Sequence, residues 1–134
     1  MSLVPAVRDP KGKCVDEQDC AFERATLCAF DGQPVATQAA FLDCLDTPWS
    51  DLLTNKKVNK CVGSTAGVDK SAFDACVKGS RGDVLLEQAS ATWTKAFPEP
   101  VNLPQAQVDG NTVDASYDAI KKAACKAGSS SSAC

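Results

Sequence analysis

The stretch PEPVNLPQAQVDGN, Pro98 to Asn111, decides the fold class, because it is where a helical chain turns extended. Pro98, Pro100 and Pro104 have no amide hydrogen and clash with a preceding helical turn, so they bar helix and favour an extended path. From Gln105 to Val108 the residues alternate polar and apolar, which is the spacing of a strand. Asp109-Gly110 then ends the run with hairpin chemistry.

The rest of the chain reads as helix. Asp16 or Asp19 can cap a helix that runs to about Phe30, with Cys20, Arg24, Leu27 and Cys28 at helical spacing. Asp31-Gly32 ends it, and Pro34 suits the first turn of the next, whose apolar stripe is Val35, Ala39, Leu42 and Leu45. A shorter segment from Leu52 to Val62 ends in the loop signal GSTAG. Asp69 or Ser71 caps a helix carrying Phe73, Cys76 and Val77, which KGSRG interrupts. The longest amphipathic pattern follows, with Leu85, Leu86, Ala89, Trp93, Ala96 and Phe97 inward and Glu87, Ser90, Thr94 and Lys95 outward. Beyond the proline stretch a last helix is predicted from near Thr112, burying Val113, Tyr117, Ile120 and Ala124. Its acids Asp114 and Asp118 come early and its lysines 121, 122 and 126 late, as the helix dipole prefers. Residues 127–134 read as a flexible serine-rich tail that Cys134 can tie down.

At 134 residues the chain has the length of one domain with a real core, and no linker divides it. The net charge of −3 and a pI near 4.8 give no basic footprint for nucleic acid. No run approaches the roughly 20 apolar residues of a membrane span. The expectation is a monomer that works without nucleic acid, membrane, metal or cofactor. Histidine is absent, which removes Ser-His and Cys-His nucleophiles and every mixed cysteine-histidine zinc pattern.

Eight cysteines stand at 14, 20, 28, 44, 61, 76, 125 and 134, an even count that points to disulfides and an oxidising compartment. Gaps of 5, 7, 15, 16, 14, 48 and 8 residues contain no short knuckle pair for zinc. A redox cysteine needs exposure and a lowered pKa, usually in Cys-x-x-Cys at a helix start. No Cys-x-x-Cys occurs, and Cys20, Cys28, Cys44 and Cys76 fall within helix patterns rather than at starts, so the cysteines read as staples. Pairing is open among 105 arrangements, with Cys125 to Cys134 the cheapest on loop length.

Other features read as structural. Arg81-Gly82-Asp83 matches a tripeptide that integrins read, yet Gly82 can break one helix and Asp83 cap the next. The acidic pairs Asp43/Asp46 and Asp114/Asp118 read as solvated faces, and Trp49 and Trp93 as core. Asn59-Lys60-Cys61 is a cysteine variant of a glycosylation sequon whose cysteine reads as bridged.

The order and spacing of these segments resemble the gamma-interferon-inducible lysosomal thiol reductases (GILT). CVDEQDCAFERATLC, with Cys14, Cys20 and Cys28, is similar to that family's signature, Asp19 standing in its Glu position and Glu23 in its Asn position. The gap from Cys20 to Cys28 matches, the first gap is one residue short, and the Gln-His-Gly is missing. AAFLDCLD, VNKCVGSTAG, FDACVKGSRGDVLLEQASATW and VNLPQAQVDGNTV resemble later segments, and AAC and SSAC the C-terminal cysteines, so the likeness spans Leu3 to Cys134.

The resemblance implies a thioredoxin-like α/β fold with a helical, disulfide-stapled insertion. It implies a thiol-disulfide oxidoreductase of a lysosomal or secretory compartment, acting on disulfide-containing proteins through a mixed-disulfide step. Pro104 would be the cis-proline of the substrate-docking loop, and Leu103 would pair by backbone with a substrate strand. Family members carry a first strand and a Cys-x-x-Cys ahead of the segment resembled by LVPAV, and this sequence does not contain them. The expected catalytic set in this chain is therefore empty. A non-catalytic, disulfide-rich secreted binding module on the same fold is the alternative reading.

Overall fold

The structure, a computed structural model, describes residues 3–7, 14, 20–46, 55–98, 104–130 and 134. These residues are mostly helical, with one small antiparallel sheet. They form two compact units, Met1–Trp93 and Thr94–Cys134.

The first unit is built around α1 (Ala21–Phe30). Every residue from Ala25 to Phe30 is buried, so this helix is surrounded rather than laid on a core. It packs against α2 (Val35–Asp46), α3 (Asn55–Ser64) and α4 (Lys70–Lys78). The end at Phe30 is as the sequence predicts, while the caps Asp16 and Asp19 lie outside the described residues. Cys20 is the N-cap residue, a start that the helix pattern did not reveal.

In α2 the backbone carbonyl of Pro34 accepts from the amides of Thr37 and Gln38, so the first turn closes on the proline as expected. The apolar stripe is displaced from its prediction. Phe41 and Leu45 are buried, Leu42 is half-buried and Ala39 is exposed. Phe41 wins because its ring meets Phe30 edge-on at 6.2 Å and 83°, worth about 0.5–1.5 kcal/mol beyond its buried area. Helix α3 continues through Gly63-Ser64, two residues into the predicted loop, and ends before Thr65. Asp69 caps α4 by accepting from the Ala72 amide at 2.7 Å.

A single residue, Gly79, separates α4 from α5 (Ser80–Ala96), which belongs to the first unit as far as Trp93. The predicted break at KGSRG is thus one residue long, and Gly82 and Asp83 lie inside the first turn of α5 rather than ending one helix and capping another. Leu85, Leu86, Ala89 and Trp93 point inward as predicted, and Ser90, expected outside, is buried. Val7, in the LVPAV segment, is fully buried, but Leu3 to Val7 form no regular secondary structure.

In the second unit β1 (Ala106–Val108) pairs antiparallel with β2 (Asn111–Val113), Ala106 opposite Val113 and Val108 opposite Asn111. The second strand corrects the prediction of a helix from Thr112. Asp109 and Gly110 both have positive φ, 49° and 75°, which turns the chain back with the strand twist of a hairpin. The Gln107 side chain donates to the Ala96 carbonyl at 2.8 Å and ties β1 to the preceding helix end. Helix α6 (Tyr117–Lys126) starts five residues later than predicted, capped by Ser116, whose hydroxyl accepts from the Ala119 amide at 3.3 Å. It packs on the hairpin, yet none of its residues is fully buried and Tyr117 is 71% exposed, against the prediction that it is core.

No helix among the described residues is long and apolar enough to cross a membrane.

Gly82 gives a direct test of the packing of α1 on α5. A Cβ there would lie 2.9 Å from the Cys76 carbonyl oxygen and 3.0 Å from Arg24 Cγ. Gly82→Ala gains about 1 kcal/mol of helix propensity. Overpacking of about 1–3 kcal/mol opposes it. The variant is expected to be less stable in urea unfolding, whereas the same change at an open helical site stabilises.

Candidate functional site

The residues singled out for chemistry fall into three places: the proline loop, the cysteines and the charged start of α5. In the loop, Pro104 is exposed and lies two residues before β1, whereas Leu103 lies outside the described residues. Of the expected signals, the described residues show the turn at Asp109-Gly110 that ends β1.

All eight cysteines are bridged, Cys14 to Cys20, Cys28 to Cys76, Cys44 to Cys61 and Cys125 to Cys134. Cys28–Cys76 joins α1 to α4, and Cys44–Cys61 joins α2 to α3. Cys28 and Cys76 are buried, and Cys61 is fully buried, so these sulfurs sit in the core like small hydrophobes. Cys125–Cys134 closes the C-terminal tail onto α6, the pairing that loop length favours.

Cys20 is the one cysteine at a helix start, which corrects its placement within a helix pattern. A thiol there meets the positive end of the helix dipole, which favours the thiolate. It is half-buried and its partner Cys14 is buried. Bridged, Cys20 has no proton to lose.

The charged residues at the start of α5 clamp it to α1. Arg81 donates to Asp31 twice, Nε to Oδ2 at 2.8 Å and Nη2 to Oδ1 at 2.6 Å. Arg24 pairs with Asp83 on the other side of buried Gly82. Both charges of the Arg81-Gly82-Asp83 tripeptide are thus engaged, and its glycine is buried, so the tripeptide serves packing. The donated bonds from Arg81 hold the Asp31 carboxyl below the usual carboxylate range, against a smaller opposing effect of burial. The Arg81 guanidinium is held above its ordinary range by the same bonds.

Of the remaining candidates, Trp93 is buried as expected and Trp49 lies outside the described residues. Asp43, Asp46, Asp114 and Asp118 bring no cluster with them: no group of three metal-ligating side chains occurs among the described residues. Thr26, buried in α1, has a hydroxyl without a hydrogen-bond partner. Such a group costs about 1–3 kcal/mol.

Compared with protein-family models, with curated proteins and with solved structures, the chain matches none.

Two predictions follow from the bridges and the clamp. Loop-closure entropy makes the bridge over 48 residues of sequence worth about 4 kcal/mol and the one over 9 about 2.5 kcal/mol. Replacing Cys28 and Cys76 together by Ala is expected to lower the urea midpoint more than replacing Cys125 and Cys134. Asp31 has a folded pKa below its unfolded value of about 3.9. Its pairing thus stabilises fully above that value and is lost as pH falls through the lower folded one. Asp31→Asn is expected to reduce stability at pH 7 and to flatten the acid limb of the stability curve below about pH 4.

Proposed function

We propose that this chain is a non-catalytic, disulfide-stapled binding module of an oxidising compartment, secreted or lysosomal. The observation that carries the reading is the pairing of all eight cysteines, which leaves no thiol to form a thiolate. The two deepest bridges join helices to each other inside the core, where they act on rigidity. Bridges of this kind survive outside the reducing cytoplasm. The thioredoxin-like, GILT-related framework belongs to this proposal. It is supported by the order and spacing of the cysteines and by a strand entered near Pro104 and left through Asp109-Gly110. On that framework the helical first unit is the stapled insertion, and the Leu103-Pro104 loop is the docking element for a disulfide-containing protein.

One observation favours a second reading, thiol reductase activity: Cys20 is the half-buried N-cap residue of α1 and is bonded to buried Cys14. If a dithiol opened that bridge, the Cys20 thiolate would attack a substrate disulfide, form a mixed disulfide and expel one substrate thiolate. Cys14 would then displace the second substrate sulfur and re-form Cys14–Cys20, consuming one dithiol per substrate disulfide reduced.

A thiol count on denatured, unreduced protein and an insulin-reduction assay with dithiothreitol separate the two readings. The module is expected to show no free thiol and an insulin rate equal to dithiothreitol alone. A faster rate that Cys20→Ser abolishes would establish the reductase in its place.

A further inference from the structure

Helices α1, α3 and α4 meet around an open groove of about 400 Å³ that no sequence motif announces. Its lining is mixed: Ala21 and Ala25 from α1, Val58 from α3, and Phe73 and Val77 from α4 supply the apolar part, and Arg24, Asn59, Asp74 and Lys78 the polar part. Cys28–Cys76 holds α1 against α4, and Cys44–Cys61 anchors α3 to α2, so the walls stand in place before any ligand arrives. A site already in place loses little freedom on binding, which favours affinity from a small contact area. Its volume lies at the lower end of the range for small-molecule sites, about 300–1,000 Å³.

The charges on the rim select among apolar ligands. Arg24 is paired with Asp83, and both oxygens of Asp74 are held by Lys70 Nζ at 3.0 and 2.9 Å. Lys78, one turn beyond Asp74 on α4, also lines the groove. It has no ion-pair or hydrogen-bond partner among the described residues. The paired charges cancel, and one ammonium remains beside the apolar part of the lining. We infer that this groove binds a singly charged anionic amphiphile, a free medium-chain alkyl carboxylate, with the chain against Val58, Phe73 and Val77 and the carboxylate at Lys78. The inference rests on the binding-module reading and names the ligand class of that module.

The test is calorimetric titration of the oxidised full chain with sodium decanoate and, separately, with decan-1-ol. Decanoate is expected to saturate one site, with decan-1-ol at least tenfold weaker. Lys78→Ala is expected to weaken decanoate about tenfold and leave decan-1-ol unchanged. Val77→Gln, at a half-buried wall position, is expected to weaken both. Absence of saturable decanoate binding up to millimolar concentration overturns the inference, as does equal affinity for the two probes. Decanoate binding that survives both substitutions overturns it too, because the ligand then sits elsewhere. Retention of all four bridges by mass spectrometry shows that each variant has folded. The insulin assay reads thiol chemistry alone, so failure of the binding-module reading and failure of this inference give different results.

Discussion

The first unit depends on the placement of α1 at the centre of a helix cluster. Six consecutive buried residues, Ala25 to Phe30, leave that helix no solvent face over its second half. A helix buried all round must be met by partners on every side, and α2, α3 and α4 supply them. The Cys28–Cys76 bridge joins the central helix covalently to α4 at its most buried stretch. The edge-on contact of Phe30 with Phe41 does the corresponding work toward α2. With its partners fixed around α1, α3 and α4 hold open the groove that carries Lys78.

The start of α5 shows how charge and packing cooperate at the edge of this core. Gly82 is buried, and a side chain there would press on the Cys76 carbonyl and on Arg24. Its neighbours Arg81 and Asp83 then reach Asp31 and Arg24 on either side. Exposed pairs of this kind add little individually, median about 0–1 kcal/mol. Their effect is orientational: with only Gly79 between α4 and α5, the two pairs set where α5 leaves.

The chemistry proposed for the chain follows from what bridging does to sulfur. A thiolate is the nucleophile of disulfide exchange, and a cysteine in a bridge has none to offer. Cys20 stands at a helix start, and its bond to Cys14 leaves it no thiol. The same bridges that silence exchange make the helices rigid, which suits recognition by a preformed surface.

Local signals were legible in the sequence wherever a single residue imposes its own geometry. Asp69 capping α4, α1 stopping at Phe30, α5 ending ahead of Pro98 and the turn at Asp109-Gly110 all follow from side chains acting on their own backbone. The even cysteine count pointed to staples, and the short loop of Cys125–Cys134 favoured that pairing. The sequence could not say that Phe41 rather than Ala39 turns inward, that Ser90 is buried, or that Tyr117 is exposed, because burial depends on what neighbouring elements supply. It missed β2 because Asn111 to Val113 acquire strand geometry only by pairing with β1 across the turn. The partners of Cys28 and Cys44, the α5 clamp and the groove at Lys78 join residues far apart in sequence. Residue type and spacing thus determined a helical, disulfide-stapled chain, and only tertiary packing decided which sulfurs meet, which faces are covered and where a groove opens.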